Sequence, residues 1–200
     1  MFLKNIREQK MQLRAKHKKL RTLCPADVKN KLDKKISETF LSSKEYKQCE
    51  ILFAFVSSEI EVDTSDIISN ALADGKKLAL PKCRNKLGEM DFYFVTSVNQ
   101  LKKGTFSIPE PDSAVCTAVD DSVSGLCLVP GLCYDMHGYR IGFGKGYYDR
   151  FLQKFSGTSV GLCYTRCIEQ KLPRGVFDKP VDILITEKYT NYTHNVFAEE

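Results

Sequence analysis

The stretch GYRIGFGKGYYDRFL, residues 138–152, places four glycines, one lysine, two arginines and an aspartate within fifteen residues. Glycine costs backbone entropy on folding, so this density indicates main chain that must stay bare or adopt positive φ. A ligand that approaches the backbone closely creates such a need. Glycines that lead into a helix form an anion site, because free amide groups and the positive end of the helix dipole face the same way. We therefore expect a phosphate to bind here.

Neither common phosphate-binding fingerprint fits this stretch. A Walker A loop needs a glycine five residues before Gly144, where Tyr139 stands, and a G-x-G-x-x-G pattern that begins at Gly142 meets Tyr147 at its last glycine. A glycine turn that serves only the fold is one alternative. The charged residues within the stretch favour phosphate binding over that alternative.

Asp149, the aspartate of this stretch, allows two interpretations. A carboxylate beside a phosphate site is a suitable ligand for Mg²⁺. Asp149 is equally explained as a first-turn carboxylate that the helix dipole favours. The residues alone leave both readings open.

Basic residues are concentrated at the N-terminus, where residues 1–35 carry twelve Lys/Arg against three Asp/Glu. One interpretation is a nucleic-acid-binding arm, since basic clusters bind phosphate regardless of sequence. The favoured interpretation is a solvated helix that docks on the core by an apolar stripe. The stripe consists of Ile6, Leu13, Leu20 and Leu23. Lys10 and Arg14, one turn apart, would then project together and reach a phosphate.

The elements that must position these residues alternate between helix and strand. A second helix is predicted for PADVKNKLDKKISETFL, a buried strand for EILFAFVS, a helix for DTSDIISNALADG and a strand for KKLALP, which together make one βαβ unit. Further strands are predicted for EMDFYFV, GLCLVP, TSVGLCY and VDILIT. The pattern predicts an α/β fold, a three-layer α/β/α architecture with a mainly parallel, Rossmann-like sheet. In such sheets ligands lie beyond the carboxyl ends of the strands, and the glycine stretch follows one of them.

Composition sets the class of protein. A chain of 200 residues with 42% hydrophobic content suits one globular domain, so we assign residues 1–200 to a single domain. No run of about 18 apolar residues and no signal-peptide pattern is present, which predicts a cytoplasmic protein. Eight cysteines without a C-x-x-C pair predict free thiols rather than zinc ligands or disulfides.

The segment DMHGYRIGFGKGYYDRFL resembles the signature of the 5-formyltetrahydrofolate cyclo-ligase family, also called methenyltetrahydrofolate synthetases: an aspartate, G-x-R, then G-x-G-x-G-x-Y-D. This order of arginine, alternating glycines, tyrosine and aspartate is not a general nucleotide-loop pattern. Three further matches follow the family's order, KMQLR, SSEIEVDT and FSIPEP. The resemblance spans about residues 10 to 185.

The resemblance implies an enzyme that uses MgATP to convert 5-formyltetrahydrofolate to 5,10-methenyltetrahydrofolate, with release of ADP and phosphate. A formamide carbonyl is a poor electrophile and its oxygen a poor leaving group, so phosphorylation of that oxygen prepares the carbon for attack by N10. Positioning and charge neutralisation then do most of the catalysis. The implied cofactors are ATP and Mg²⁺. The implied partner is a folate, polyglutamylated or not, bound by a monomer that needs no nucleic acid and no membrane.

The resemblance assigns nucleotide-binding roles residue by residue. Lys10 and Arg14 match an N-terminal ATP-contacting motif. The phosphate loop is matched by Arg140, Gly142, Phe143, Gly144, Lys145, Gly146, Tyr147 and Tyr148. Lys145, Arg140 and Tyr148 are the implied catalytic residues, with Lys145 stabilising charge on the transferred phosphoryl group. Where Phe143 stands some relatives carry a cation, so one phosphate contact is expected to be missing.

Metal and folate roles follow from the same resemblance. Asp149 and Asp182 match magnesium-associated aspartates, although Asp182 also reads as a strand-start carboxylate. Glu59 matches the glutamate that anchors the pterin, and Tyr148 also faces the substrate. Phe106 stands where relatives place an aromatic residue, often tryptophan, that packs on the pterin ring.

Two rival functions stay open on the sequence. One is a phosphosugar isomerase or CoA-transferase relative that uses the glycine loop without ATP hydrolysis. The other is a non-catalytic RNA-binding protein that uses the basic N-terminal helix. RNA modules expose aromatic residues on a sheet, whereas the aromatic residues here lie mostly in core-like runs, which counts against the second alternative.

Overall fold

A computed structural model describes residues 2–85 and 88–193 of this chain, with the backbone alone described at residues 2–4 and 106. Its helices are α1 (Phe2–Thr22), α2 (Ala26–Ser42), α3 (Lys44–Gln48), α4 (Ser65–Ala73) and α5 (Tyr147–Leu152). Its strands are β1 (Ile51–Phe53), β2 (Lys77–Cys83), β3 (Met90–Val95), β4 (Leu101–Lys103), β5 (Pro109–Pro111), β6 (Thr117–Ala118), β7 (Leu126–Val129), β8 (Cys133–Asp135), β9 (Arg140–Ile141), β10 (Thr158–Leu162), β11 (Ile168–Glu169), β12 (Ile183–Ile185) and β13 (Thr190–Tyr192).

The central sheet has the strand order β13-β12-β10-β7-β1-β2-β3-β6. Strands β12, β10, β7, β1 and β2 run parallel to their neighbours within this group, and β13, β3 and β6 add antiparallel strands at the two sides. Helix α4 makes the crossover between the parallel strands β1 and β2, the connection that parallel pairing requires. The α/β class and the mainly parallel sheet predicted from the sequence are therefore confirmed.

The core explains why α5 lies where it does. Strand β1 begins a continuous apolar run, and its residues Leu52 and Phe53 are 0% and 1% exposed. The Phe53 ring lies 5.1 Å from the Phe92 ring of β3 and 5.2 Å from Phe155, just beyond α5. Phe151 of α5 lies 4.7 Å from Phe92. These aromatic contacts hold α5, and the loop before it, at the end of the sheet.

Helix α1 docks on the molecule as the favoured interpretation requires, but its buried face differs from the predicted stripe. Leu13 and Leu20 pack against the core, whereas Leu23 is 68% exposed. The inclusion of Leu23 was wrong because α1 ends at Thr22, so Leu23 no longer follows the helical spacing. The charged side chain of Arg21 is buried in its place.

All eight cysteines are free, and five of them are buried. Burial raises the pKa of the Cys133 thiol to about 12, so this side chain stays protonated. Buried free thiols pack as small apolar groups. In the described ranges 2–85 and 88–193, none of the helices combines the length and the hydropathy needed to cross a bilayer.

Candidate active site

A cavity of about 520 Å³ opens at the carboxyl ends of the parallel strands. Phe55 lies just beyond β1, Pro81 and Cys83 lie in the last part of β2, and Pro130 directly follows β7; all four line the cavity. This is the edge at which ligands bind in open α/β sheets. Most of the predicted site residues meet on its wall, namely Lys10, Arg14, Arg140, Gly142, Phe143, Gly144, Lys145, Gly146, Tyr147, Tyr148 and Asp149.

Residues 142–146 connect β9 to α5 and form one wall of the cavity. Gly144 and Gly146 have φ values of 97° and 75°, which non-glycine residues rarely adopt. A Cβ atom added at Gly142 would meet no atom within 4 Å, so bare main chain there is not required by the surrounding protein. Helix α5 has only six residues, so its dipole contributes little. The amide groups of the loop are what make this wall suited to an anion.

Three basic side chains face this loop or belong to it. Arg14 of α1 donates from Nε to the Gly142 carbonyl oxygen at 3.0 Å, which attaches the helix to the loop. Lys10, one turn earlier, forms an ion pair with Asp178. Lys145 is exposed, and its ammonium group has no ion-pair partner among the described residues. Its charge is therefore available to a ligand in the cavity.

Arg140 is placed differently from the other basic residues, because its guanidinium group is already bound by protein groups. Its Nη1 donates to the Lys179 carbonyl oxygen and its Nη2 to Asp149 Oδ1, both at 2.8 Å. The residue is 8% exposed. In this arrangement Arg140 fixes Asp149 and the segment around Lys179 against β9, while its direct contact with a transferred phosphoryl group stays a prediction.

Two aspartates line the cavity, but they are not the predicted pair. Asp149 and Asp178 are on the cavity wall. Asp182 lies just before β12, at the opposite edge of the sheet, where its Oδ2 accepts hydrogen bonds from the amide and hydroxyl groups of Ser159 at 2.7 Å. The prediction of Asp182 as a metal residue is corrected accordingly. Asp178 was missed because its link to the site is the ion pair with Lys10, 168 residues away.

Glu61 and Glu110 are the glutamates on the cavity wall, and the predicted Glu59 is not among them. Glu59 is exposed and does not line the cavity, whereas Glu61 is 5% exposed and does. Glu61 Oε2 accepts hydrogen bonds from the Ser58 amide at 2.8 Å and the Ser58 hydroxyl at 2.7 Å. The segment SSEIEVDT contains both glutamates two residues apart, and the structure brings the second of them to the cavity wall.

Tyr148 and Phe143, both on the cavity wall, contribute a hydroxyl group and an exposed ring. The Tyr148 hydroxyl is buried and has no hydrogen-bond partner among the described residues. Burial raises the pKa of Tyr148 well above its ordinary value, so the group is a neutral donor. Phe143 is 42% exposed, and the Lys18 ammonium lies 5.4 Å from its ring centroid. Lys18 of α1 also lines the cavity, so a cation lies beside Phe143.

Tyr147 has a second contact besides its place on the cavity wall, and Phe106 lies partly outside the described residues. The Tyr147 hydroxyl donates to the Asn85 carbonyl oxygen at 2.9 Å, which ties the start of α5 to the chain beyond β2. The side chain of Phe106 lies outside the described residues, so its packing on a pterin ring stays a prediction.

Comparisons with known proteins identify the family of this chain. The model of the 5-formyltetrahydrofolate cyclo-ligase family matches residues 6–187. The mitochondrial 5-formyltetrahydrofolate cyclo-ligase of Arabidopsis thaliana is 30% identical to this chain, over 92% of this chain and 76% of that protein. The mouse 5-formyltetrahydrofolate cyclo-ligase is 26% identical over 91% of this chain and 95% of its own length.

A solved structure also matches over nearly the whole chain. The NMR structure of Aquifex aeolicus 5,10-methenyltetrahydrofolate synthetase superimposes with a TM-score of 0.83 at 33% identity, covering 96% of each chain. The fold is thus shared with a methenyltetrahydrofolate synthetase over nearly the whole chain. This chain belongs to the 5-formyltetrahydrofolate cyclo-ligase family.

Proposed function

We propose that this protein catalyses the ATP- and Mg²⁺-dependent cyclisation of 5-formyltetrahydrofolate to 5,10-methenyltetrahydrofolate, with release of ADP and phosphate. The observation that carries the proposal is a single cavity with an anion-binding glycine loop on one wall and the buried Glu61 on another. Such a cavity can hold a polyphosphate and a pterin side by side. The cytoplasmic location and the monomeric state stay predictions.

The proposed reaction begins with transfer of the γ-phosphoryl group to the formyl oxygen, which breaks the bond to ADP. The phosphorylated oxygen becomes a good leaving group, and the lone pair of N10 then attacks the formyl carbon. Loss of phosphate and of the N10 proton leaves the methenyl bridge between N5 and N10. The protein supplies little covalent chemistry, so its task is to align the two substrates and to stabilise phosphoryl charge.

The described side chains can meet these requirements. Lys145 lies beside the loop amides and has no ion-pair partner in the described part of the chain, so it can stabilise charge on the transferred group. Arg14 reaches the same loop from α1. Glu61, with one carboxylate oxygen held by Ser58, can accept hydrogen bonds from the amine and ring nitrogen of a pterin. Tyr148, whose hydroxyl has no hydrogen-bond partner within residues 2–85 and 88–193, can donate its proton to a substrate oxygen.

Asp149 and Asp178 are the groups that fit Mg²⁺. Mg²⁺ is commonly held by one or two carboxylates together with substrate phosphates and water. Within residues 2–85 and 88–193 no cluster of three or more potential protein ligands occurs, so the phosphates and water would complete the coordination. When bound, Mg²⁺ neutralises charge on the phosphate oxygens. Arg140 orients Asp149 for this task through the 2.8 Å contact with Oδ1.

A direct assay tests the proposed reaction. The purified protein is mixed with MgATP and 5-formyltetrahydrofolate, and the methenyl product is followed by its near-ultraviolet absorbance together with ADP release. We expect both products to form in equal amounts, and neither to form without Mg²⁺ or without folate. ADP release that does not depend on the folate, or an absence of methenyl product with both substrates present, would contradict the proposal.

Gly144→Ala tests whether the loop binds the ATP phosphates. The substitution adds a methyl group 3.1 Å from the Arg14 guanidinium and imposes a φ of 97° on alanine. A strain of about 1 kcal/mol shifts the melting temperature of a domain of this size by roughly 2–4 °C. The fold should therefore survive, while the stabilisation by MgATP, measured as a shift in melting temperature, should be largely lost.

Gly75→Ala is the matched control for backbone strain. Gly75 has a φ of 69°, and an added Cβ would meet no atom within 4 Å. It closes α4 and does not line the cavity. The control should melt slightly below the parent yet keep the full MgATP shift. A Gly144→Ala protein that melts much lower but retains that shift would place the phosphates elsewhere.

The carboxylate assignment is tested by comparing three asparagine variants. Asp149→Asn and Asp178→Asn should raise the Mg²⁺ concentration needed for half-maximal turnover, because each removes one candidate anionic ligand. Asp182→Asn should leave that concentration unchanged and lower the melting temperature, since Asp182 holds Ser159 at the other edge of the sheet. A Mg²⁺ requirement that rises only with Asp182→Asn would reverse the assignment.

A further inference from the structure

Arg21 is a charged residue that helix α1 carries into the protein interior. It is 3% exposed, and its guanidinium group donates hydrogen bonds to three backbone carbonyl oxygens. Nε donates to Leu132 at 2.9 Å, Nη2 to Gly131 at 2.8 Å and Nη1 to Ile60 at 3.0 Å. None of the three acceptors lies near Arg21 in sequence, so the side chain ties two loops to α1.

Both loops belong to the cavity wall. Gly131 directly follows Pro130, and Ile60 directly precedes Glu61; Pro130 and Glu61 line the cavity. Ile60 and Glu61 belong to a turn in which the Glu61 amide donates to the Ser58 carbonyl oxygen at 3.0 Å. Arg21 thus holds the backbone of this turn from the interior, while the Glu61 side chain faces the cavity.

Tyr164 supports the same turn beside Arg21. Its ring centroid lies 5.1 Å from the Arg21 guanidinium carbon. Its hydroxyl donates to Asp33 Oδ1 at 2.5 Å and lies 3.3 Å from the Glu61 carbonyl oxygen. The Tyr164 hydroxyl has only one proton to donate. The shorter contact, with Asp33, is the stronger hydrogen bond, and the longer contact adds weaker support to the Glu61 carbonyl group.

A buried guanidinium group has a large desolvation cost, and hydrophobic residues of similar volume often serve stability equally well. The planar fork of arginine reaches several acceptors in a fixed geometry, which a lysine ammonium cannot do. The arrangement around Arg21 is therefore suited to fixing geometry. The same helix also fixes the glycine loop, through the bond from Arg14 to the Gly142 carbonyl oxygen.

We propose that Arg21, supported by Tyr164, is a positioning residue that sets Glu61 for the folate substrate and joins the folate wall of the cavity to the nucleotide wall through α1. The inference rests on the proposed function, because it assigns Glu61 to the folate. Arg21 touches neither substrate and acts only through the backbone of Ile60 and Glu61.

The test compares Arg21→Lys and Tyr164→Phe with the parent in the full reaction. Arg21→Lys keeps the charge but cannot span the three carbonyl groups, and we expect it to raise the KM for 5-formyltetrahydrofolate about tenfold, the effect of losing one hydrogen bond to a charged group. Tyr164→Phe keeps the ring and should raise the same KM by a smaller factor. The KM for ATP should change less than twofold in both variants.

Arg166→Lys is the matched control, because the Arg166 guanidinium carbon lies 5.5 Å from the Tyr164 ring centroid while the residue itself is exposed. It should leave both KM values unchanged. If Arg21→Lys does not fold, the KM of Tyr164→Phe for 5-formyltetrahydrofolate tests the positioning role in its place. Folded variants with lower melting temperatures but an unchanged folate KM would overturn the positioning role. A parent protein without turnover would overturn the proposed function and this inference together.

Discussion

Replacing Lys145 by alanine is expected to lower kcat by about 10²–10³-fold, the loss typical of removing one preorganised group that stabilises transition-state charge. Lys145 lines the cavity beside the loop amides, and its ammonium group has no ion-pair partner among the described residues. Its charge matters most when phosphoryl charge shifts in the transition state, so the KM for folate should change little. Steady-state rates of methenyl formation, with folate and ATP varied separately, measure both quantities.

Lys154→Ala is the control for loss of a lysine in the same region. Lys154 follows α5, its side chain is 78% exposed, and its contact with Asp121 is long, at 4.0 Å. This variant should keep the parent's kcat. A Lys145→Ala protein with unchanged kcat and a raised folate KM would remove Lys145 from phosphoryl transfer and make it a folate-binding residue.

Glu61→Gln is expected to raise the KM for 5-formyltetrahydrofolate by about 10–100-fold, because loss of a charge-assisted hydrogen bond costs about 1.5–3 kcal/mol. Glutamine keeps the size of the side chain, and its amide oxygen can still accept the bond from the Ser58 amide. It cannot accept two pterin donors as a carboxylate does. The KM for ATP should stay close to that of the parent.

Glu59→Gln gives the matched comparison, since Glu59 lies two residues earlier in the same segment, is exposed and does not line the cavity. Its kinetic constants should equal those of the parent. A folate defect in Glu59→Gln together with normal behaviour of Glu61→Gln would return the assignment to Glu59. A defect of Glu61→Gln confined to ATP would place the pterin elsewhere.

Several features of the site could be predicted because they depend on local patterns. The glycine spacing of residues 138–146 predicted bare main chain, and positive φ values occur at Gly138, Gly144 and Gly146. Lys10 and Arg14 are one helical turn apart, so any docked helix projects them together, and both line the cavity. Apolar runs of strand length identified β1, β2, β7, β10 and β12, and hence the parallel sheet.

Other features depended on contacts between distant segments, which leave no local pattern. The motif SSEIEVDT placed a carboxylate at the end of β1, but the Ser58–Glu61 turn decided that Glu61 faces the cavity. Arg21 lies among exposed lysines in the sequence, yet carbonyl groups of two remote loops make its burial possible.

The sequence alone thus determined the sheet, the glycine loop and the family, because hydrophobic periodicity, glycine spacing and ordered motifs are properties of short segments. Only the tertiary structure decided which carboxylates reach the cavity. Asp178 and Asp182 are four residues apart, but Asp178 pairs with Lys10 at the cavity while Asp182 holds Ser159 at the opposite edge. The partners of the two carboxylates come from segments far away in sequence, since Lys10 belongs to α1 and Ser159 to β10.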